Sequence, residues 1–245
     1  MIIAVGIGRG GSKGFPSKNS YLLSGAYPLM SYSIRAAKNC RLVDEVYFST
    51  ESEELKNIAF YYGAKIIHRP KRLATDAALA EDVFAHACNY LKIKYQNNIE
   101  FFVLLFANAP CVTPLVMREM IEELRNRQDA DSICTVSKYN MFSPYRARKI
   151  QEKGEGGYLV PFCDGVVEEA TCDRNSGTDA WFYDCSCAVV RPRCLENIER
   201  GMPPQRWLGQ KILPYKQALP ALDVDFRWQL GQVECWLREY SSNYL

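Results

Sequence analysis

The opening nineteen residues constrain the fold more than any other stretch. Met1 to Val5 is apolar and the right length for one buried β-strand. The chain then enters Gly6-Ile7-Gly8-Arg9-Gly10-Gly11-Ser12-Lys13-Gly14-Phe15-Pro16-Ser17-Lys18-Asn19. Those fourteen residues hold five glycines, three cations, two serines and an asparagine. Glycines let the backbone turn tightly and bring its N–H groups against a bound group. Arg9, Lys13 and Lys18 add charge that neutralises a polyphosphate. A basic, glycine-rich bend at the carboxyl end of a first strand is therefore a phosphate-binding arrangement.

Three phosphate readings compete with an ordinary solvated turn. Gly6, Gly8 and Gly11 have the spacing of a dinucleotide fingerprint, which requires a helix to begin at the third glycine. Gly14 and Pro16 disfavour a helix there. A P-loop needs Gly-Lys followed by Ser or Thr, and that triplet does not occur here. The third reading is a loop that wraps a nucleoside triphosphate with no helix inside it.

The rest of the chain alternates between strand and helix patterns. Leu29 to Asn39 has helical spacing, and Glu45 to Ser49 is rich in β-formers. Ser49-Thr50-Glu51-Ser52-Glu53 leads into a helix running to about Tyr62, stopped by Gly63. Lys65 to His68 reads as a strand, Ala77 to Tyr90 as a long helix after Thr75-Asp76, and Phe101 to Phe106 as a central buried strand. Thr113-Pro114 supplies a cap and first position for a helix over Leu115 to Arg127. Ser132 to Ser137 and Cys185 to Val190 read as strands, with a helix near Cys194 to Arg200. Leu222 to Val224 reads as a last short strand and Trp228 to Tyr240 as a final helix, while Trp207 to Lys211 carries no clear pattern. This order predicts an α/β fold: a Rossmann-like three-layer α/β/α domain with a mostly parallel central sheet. Residues 1–245 read as one domain. Residues 140 to 178, broken by Pro144, Pro161 and Gly154 to Gly157, form an arm that covers the site or meets a second subunit. The opening loop, Ser49, Arg69 and Asn108 all follow strands, so they converge on one crevice.

Composition narrows the class. The net charge is +2, which implies no nucleic-acid-binding surface from bulk charge. No apolar run approaches the 18 residues of a membrane span, and the charged loop interrupts the first apolar run before it could serve as a signal peptide. A cytoplasmic location follows as an expectation. The ten cysteines then read as reduced, packed thiols. No pair has the two-residue gap of a zinc knuckle, and Cys172, Cys185, Cys187 and Cys194 are the only cluster worth naming as a metal candidate.

Arg9 to Asn19 resembles, position by position, the signature loop of the cytidylyltransferases that activate acidic sugars. These are the CMP-sialic acid and related CMP-nonulosonate synthetases, with CMP-KDO synthetases more distant. Ser49 to Glu54, Ala59, Tyr62-Gly63-Ala64, Arg69-Pro70, Leu73-Ala74 and Asp76 continue the likeness. The resemblance covers residues 1 to 137 well, and 220 to 237 again. It implies the nucleotide-diphospho-sugar transferase type of fold, CTP as substrate, Mg²⁺ as cofactor and a homodimer. It assigns Gly8, Gly10, Gly11, Ser12, Lys13, Lys18, Asn19, Ser49, Arg69, Asp76 and Asn108 to the nucleotide, with Asn19 and Arg69 reading the cytosine. Asp76 serves equally well as a helix N-cap.

Asp223 and Asp225, two apart on a predicted strand, present both carboxylates on one face, and such a pair holds Mg²⁺ beside substrate phosphates. The resemblance places the family's metal ligands on these two. The family's further acid falls on Gln229, and its later glutamate on Glu234. Arg9 and Lys13 would stabilise charge on the reacting phosphates. Lys138, Arg146, Arg148 and Arg174 are candidate partners for the acceptor's anion. The family's Gln-Pro-Thr-Ser-Pro is here Phe106-Ala107-Asn108-Ala109-Pro110, and Phe106 cannot hydrogen-bond a sugar acid. A CTP-dependent cytidylyltransferase acting on a sialic-type sugar acid is the leading expectation. A phosphonate acceptor is the alternative, because it is already ionised and needs no base. A dinucleotide oxidoreductase and a non-catalytic nucleotide sensor stand further off.

Overall fold

The computed structural model describes residues 1–11, 14–154, 156–164, 171, 173 and 178–240. Its centre is a seven-stranded sheet built from β1 (Ile2–Ile7), β4 (Glu45–Thr50), β5 (Lys65–His68), β6 (Phe101–Phe106), β7 (Ser132–Lys138), β10 (Trp181–Val190) and β11 (Ile212–Lys216). The order across the sheet is β11-β7-β10-β6-β1-β4-β5. β1 pairs in parallel with β4 and β6, β4 with β5, and β7 with β11, whereas β10 runs antiparallel between β6 and β7.

Strand alternation explains the layers. In β1, Ile2 and Ala4 face one core while Ile3, Val5 and Ile7 face another. The first core is covered by α1 (Ser31–Asn39), α2 (Glu53–Tyr61), α4 (Pro114–Asn126) and α6 (Leu230–Glu239), through Ala36, Leu55, Met117 and Trp236. The second lies under α3 (Ala80–Lys94) and α5 (Pro192–Glu196), through Phe84, Leu91 and Leu195. This is the three-layer α/β/α arrangement expected from the sequence. Local signals set several boundaries. Ser52 Oγ accepts from Leu55 N and Thr113 Oγ1 from Val116 N, capping α2 and α4, and Gly63 turns out of α2 at φ +85°.

Four expectations need correction. Residues 222 to 224 form no strand. They lie in an irregular segment, where Val224 N donates to Asn108 O at 2.8 Å. The long helix begins at Ala80 rather than Ala77, and Leu79, not Asp76, is its N-cap residue. It continues to Lys94 and is left through Gln96 and Asn97, both at positive φ. β10 begins at Trp181 rather than Cys185, because its ladder shifts register between Tyr183 and Ala188, with Cys185 at φ 61°. β11 was not anticipated; Pro214 inside it is tolerated because β11 is an edge strand.

Two small hairpins complete the fold. β2 (Leu22–Leu23) and β3 (Tyr27–Pro28) form a tight antiparallel hairpin just after the loop. β8 (Arg148–Lys153) and β9 (Gly156–Pro161) form a hairpin inside the expected arm, with Ile150, Tyr158 and Leu159 about 70% exposed. Cys40, Cys88, Cys111, Cys134, Cys187 and Cys194 are buried thiols, and Cys172 lies outside the described residues. Among the described residues, no helix is long and apolar enough to cross a membrane.

Candidate active site

The glycine-rich bend is anchored at both ends. Gly8 N donates to Ser49 O at 3.3 Å, joining the exit of β1 to β4. Phe15 is buried to 1% exposure and packs edge-on against Tyr21. Space, rather than a special φ, requires glycine at position 8. A Cβ there would lie 2.6 Å from Ala107 Cβ and 3.0 Å from Phe48 Cζ. At Gly10 it would lie 2.9 Å from Ser52 Cβ. Ser12 and Lys13 lie outside the described residues.

The bend forms one wall of a cavity of about 190 Å³ at the carboxyl ends of β1 and β6. Gly8, Arg9, Lys18, Asn19, Arg69 and Asn108 line it together with Phe106 and apolar residues leading into α3. The expected convergence is therefore found for these six. Ser49 sits beneath, buried, and accepts from Arg69: Nη2 donates to Ser49 O at 2.7 Å and Nε to Oγ at 3.4 Å. A wider groove of about 640 Å³ on the outer face of α3 shares Leu73 but none of the loop residues.

Two polar features point into the cavity region. Asn19 is 7% exposed; its Nδ2 donates to Arg9 O at 3.0 Å, while its Oδ1 is buried with no partner among the described residues. A buried acceptor without a donor is costly, and this one lies on a residue that lines the cavity. Arg69 is 3% exposed, and burial lowers its pKa to about 10, so it still carries its charge at neutral pH. Glu51 opposes that shift. One carboxylate oxygen, Oε2, lies 3.8 Å from Arg69 Nη1, and the other, Oε1, accepts from Gly10 N at 2.8 Å. Sequence reasoning gave Glu51 no role of its own in the site. The position just after β4, at the ligand-binding end of the sheet, was the available signal.

The late aspartates meet this loop. Lys18 Nζ lies 2.6 Å from Asp225 Oδ1. Asn108 Nδ2 is 3.1 Å from Asp223 Oδ2, 3.3 Å from Asp225 Oδ1 and 3.1 Å from Val224 O. The two carboxylates thus converge on one amide without the predicted strand. Burial, then the neighbouring Asp225, raises the Asp223 pKa, as expected for two acids held together. Gln229, in the place of the family's further acid, accepts from Asp225 N and Phe226 N at 2.7 Å each and so holds the turn. Glu234 accepts from Ser24 N. Asp76 pairs with Arg9 at 2.6 Å.

Lys138, Arg146 and Arg148, proposed for the acceptor, do not line the cavity. Lys138 pairs with Asp179 at 3.4 Å over the ring of Trp181. Arg148 Nη1 donates to the carbonyls of Tyr145 and Ala147, and Arg146 is exposed on the same arm. Arg174 lies outside the described residues. Phe106 borders the cavity and packs against Phe84 and Trp207.

The sequence model of a family described as Cytidylyltransferase matches residues 4–152, which is more than half of the chain. The chain belongs to the cytidylyltransferase family. It is 25% identical over 231 residues to an N-acylneuraminate cytidylyltransferase of Oncorhynchus mykiss, covering 94% of this chain and 49% of that one. It is 37% identical over 122 residues to a pseudaminic acid cytidylyltransferase of Campylobacter jejuni, covering 49% of this chain and 51% of that one. A CMP-N,N'-diacetyllegionaminic acid synthase of Legionella pneumophila is 33% identical over 157 residues, covering 62% and 64% of the two chains. This chain spans about half or less of the first relatives it matches. Among solved structures, a CMP:2-keto-3-deoxy-manno-octonic acid synthetase complexed with CTP superposes with a TM-score of 0.67, covering 97% and 98% of the chains at 14% identity. That likeness shows the nucleotide-diphospho-sugar transferase type of fold.

Proposed function

We propose that this cytidylyltransferase transfers CMP from CTP to an acidic acceptor of the nonulosonic, sialic-type class, releasing pyrophosphate. An acceptor oxygen attacks the α-phosphorus, the bond from that phosphorus to the bridging oxygen breaks, and the electron pair leaves with pyrophosphate. The observation that carries the reading is the meeting of the basic loop with the late aspartates through the Lys18–Asp225 pair and Asn108. The named substrates of the relatives are sugar acids, which supports the acceptor class.

In this reading Asn19 Oδ1, a buried acceptor in need of a donor, takes the exocyclic amine of cytosine, and the charged Arg69 faces the base carbonyl. Gly10, Gly11 and Ser12 approach the phosphates. Arg9 and Lys13 stabilise charge on the α-phosphate and the leaving group.

The residues present fit Mg²⁺: two converging carboxylates are a hard-oxygen set that substrate phosphates complete. Asp223 and Asp225 would hold it, and when bound it supplies neutralisation of phosphate charge. Among the described residues there is no group of three or more metal-ligating side chains, in keeping with a site that the nucleotide completes. Lys138, Arg146, Arg148 and Arg174 are proposed on the acceptor side. A homodimer through the exposed β8–β9 arm and a cytoplasmic location belong to the same reading.

One observation favours a second acceptor class. Phe106 presents a ring, packed against Phe84 and Trp207, at the cavity edge where a hydrogen-bonding side chain would suit a sugar acid. A phosphonate, ionised at neutral pH, would need no base from the protein. The test is pyrophosphate release from CTP and Mg²⁺ across a panel of nonulosonic acids, KDO and phosphonates. Release with a sugar acid upholds the first reading and release with phosphonates alone the second. Silence throughout, with tight binding of a nicotinamide dinucleotide, rejects both.

A further inference from the structure

We propose that Lys18 is a stand-in cation at the aspartate pair, and that its exchange for the incoming divalent metal couples metal loading to nucleotide loading. This inference rests on the cytidylyltransferase reading. The Lys18 ammonium lies 2.6 Å from Asp225 Oδ1, while only 14% of its side chain is exposed. Its stem is therefore packed into the loop and its head is aimed at the carboxylate. Asn108 Nδ2 also donates to the same oxygen, at 3.3 Å, and to Asp223 Oδ2, at 3.1 Å. Between them, a positive charge and an amide hold together two carboxylates that would otherwise repel.

A compact ammonium with three donors satisfies carboxylate oxygens much as a small hard cation does. A divalent ion bound to Asp225 draws on the same carboxylate charge that the Lys18 ammonium now neutralises at Oδ1, so ion pair and metal compete. Lys18 also lines the nucleotide cavity beside Gly8, Arg9 and Asn19. Released from Asp225, its ammonium is free to take a phosphate oxygen. Metal entry thus frees a cation for the nucleotide, and a bound phosphate keeps that cation away from the metal's ligand. Arg9 does not share this role, because its partner Asp76 is separate from the aspartate pair. Binding couplings of this kind are reciprocal.

The test uses Mn²⁺ as probe, with free Mn²⁺ measured by electron paramagnetic resonance on the full chain, with and without CTP. Lys18→Met keeps the packed stem and removes the charge; Lys18→Arg keeps the charge. Without nucleotide, Lys18→Met binds Mn²⁺ about tenfold more tightly than wild type, the scale set by removing one unit charge beside a divalent ion near the surface. The CTP-induced gain in Mn²⁺ affinity shrinks by a similar factor, and CTP binds more weakly. Lys18→Arg stays near wild type. A purely structural role would weaken metal binding or leave it unchanged, and either result overturns the exchange. If Lys18→Met fails to fold, Lys18→Gln makes the same comparison. Wild type that releases pyrophosphate while Lys18→Met shows unaltered Mn²⁺ affinity sinks the exchange alone. Tighter Mn²⁺ binding by Lys18→Met in a chain inactive on every acceptor sustains the exchange and removes the cytidylyltransferase reading.

Discussion

Gly8→Ala isolates the claim that the loop owes its position to close approach of backbones. The added methyl would sit 2.6 Å from Ala107 Cβ, 3.0 Å from Phe48 Cζ and 3.4 Å from Asn19 Nδ2. Ordinary carbon contacts are about 3.5–4.0 Å, so the overlap with Ala107 is roughly 1 Å. Neither Cβ can rotate out of the way, because each is fixed to backbone one residue past the β1–β6 ladder, where Ala107 N donates to Ile7 O at 2.9 Å and Gly8 N to Ser49 O at 3.3 Å. The loop must lift. Overpacking of this kind costs about 2 kcal/mol, which for a domain of this size lowers the melting temperature by about 4–8 °C. A shift near 1 Å in the groups facing substrate costs about a hundredfold in kcat/KM. Gly11→Ala is the control for stability, since among the described residues a Cβ there meets nothing within 4 Å and needs no positive φ. The assays are thermal unfolding by circular dichroism and pyrophosphate release. Equal melting temperatures for the two variants would refute the packing argument.

Two further perturbations probe the segment that carries the aspartates. Asn108→Ala removes the amide that binds Asp223, Val224 and Asp225, while the backbone bond from Val224 N to Asn108 O remains. The expected result is a folded chain with at least about tenfold lower kcat/KM and a raised Mg²⁺ requirement, since a charge-assisted hydrogen bond is worth about 1.5–3 kcal/mol; wild-type kinetics would remove Asn108 from the site. Asp184, 5% exposed, accepts from Thr135 Oγ1, Ser137 Oγ and Ser186 N, and burial raises its pKa. A raised carboxylate pKa makes the folded state the better proton binder, so this contribution is fully present below the ordinary value of about 3.9 and is lost as pH rises through the raised one. Asp184→Asn abolishes that dependence: urea midpoints compared from mildly acidic to neutral pH should show the advantage of wild type shrinking with pH. An advantage that grows with pH would contradict the sign.

What was legible in the chain follows from which interactions are local. The continuous apolar run Phe101 to Phe106, the Thr113-Pro114 start and the Ser52 cap each announce themselves within a few residues, and each element formed as read. The loop was legible because its glycines and cations are contiguous. The end of the chain was not, because its conformation is set by distant partners. Ser137 Oγ accepts from Ala221 N, Tyr139 OH donates to Ala221 O, and Gln217 Nε2 donates to Cys111 O and toward Asp184. Sequence separations of 33 to 106 residues hide those bonds from any periodicity. They replace the ladder that a strand over Leu222 to Val224 would have used, and they bring the segment to Asn108, where a strand's alternation is not needed to make two acids converge. Glu51 was missed for the same reason: its partners, Gly10 and Arg69, come from two other strand ends. The buried polar node around Asp184 therefore does for the aspartate segment what the apolar run does for β6. It fixes a backbone path, and the site depends on that path more directly than on any secondary-structure label.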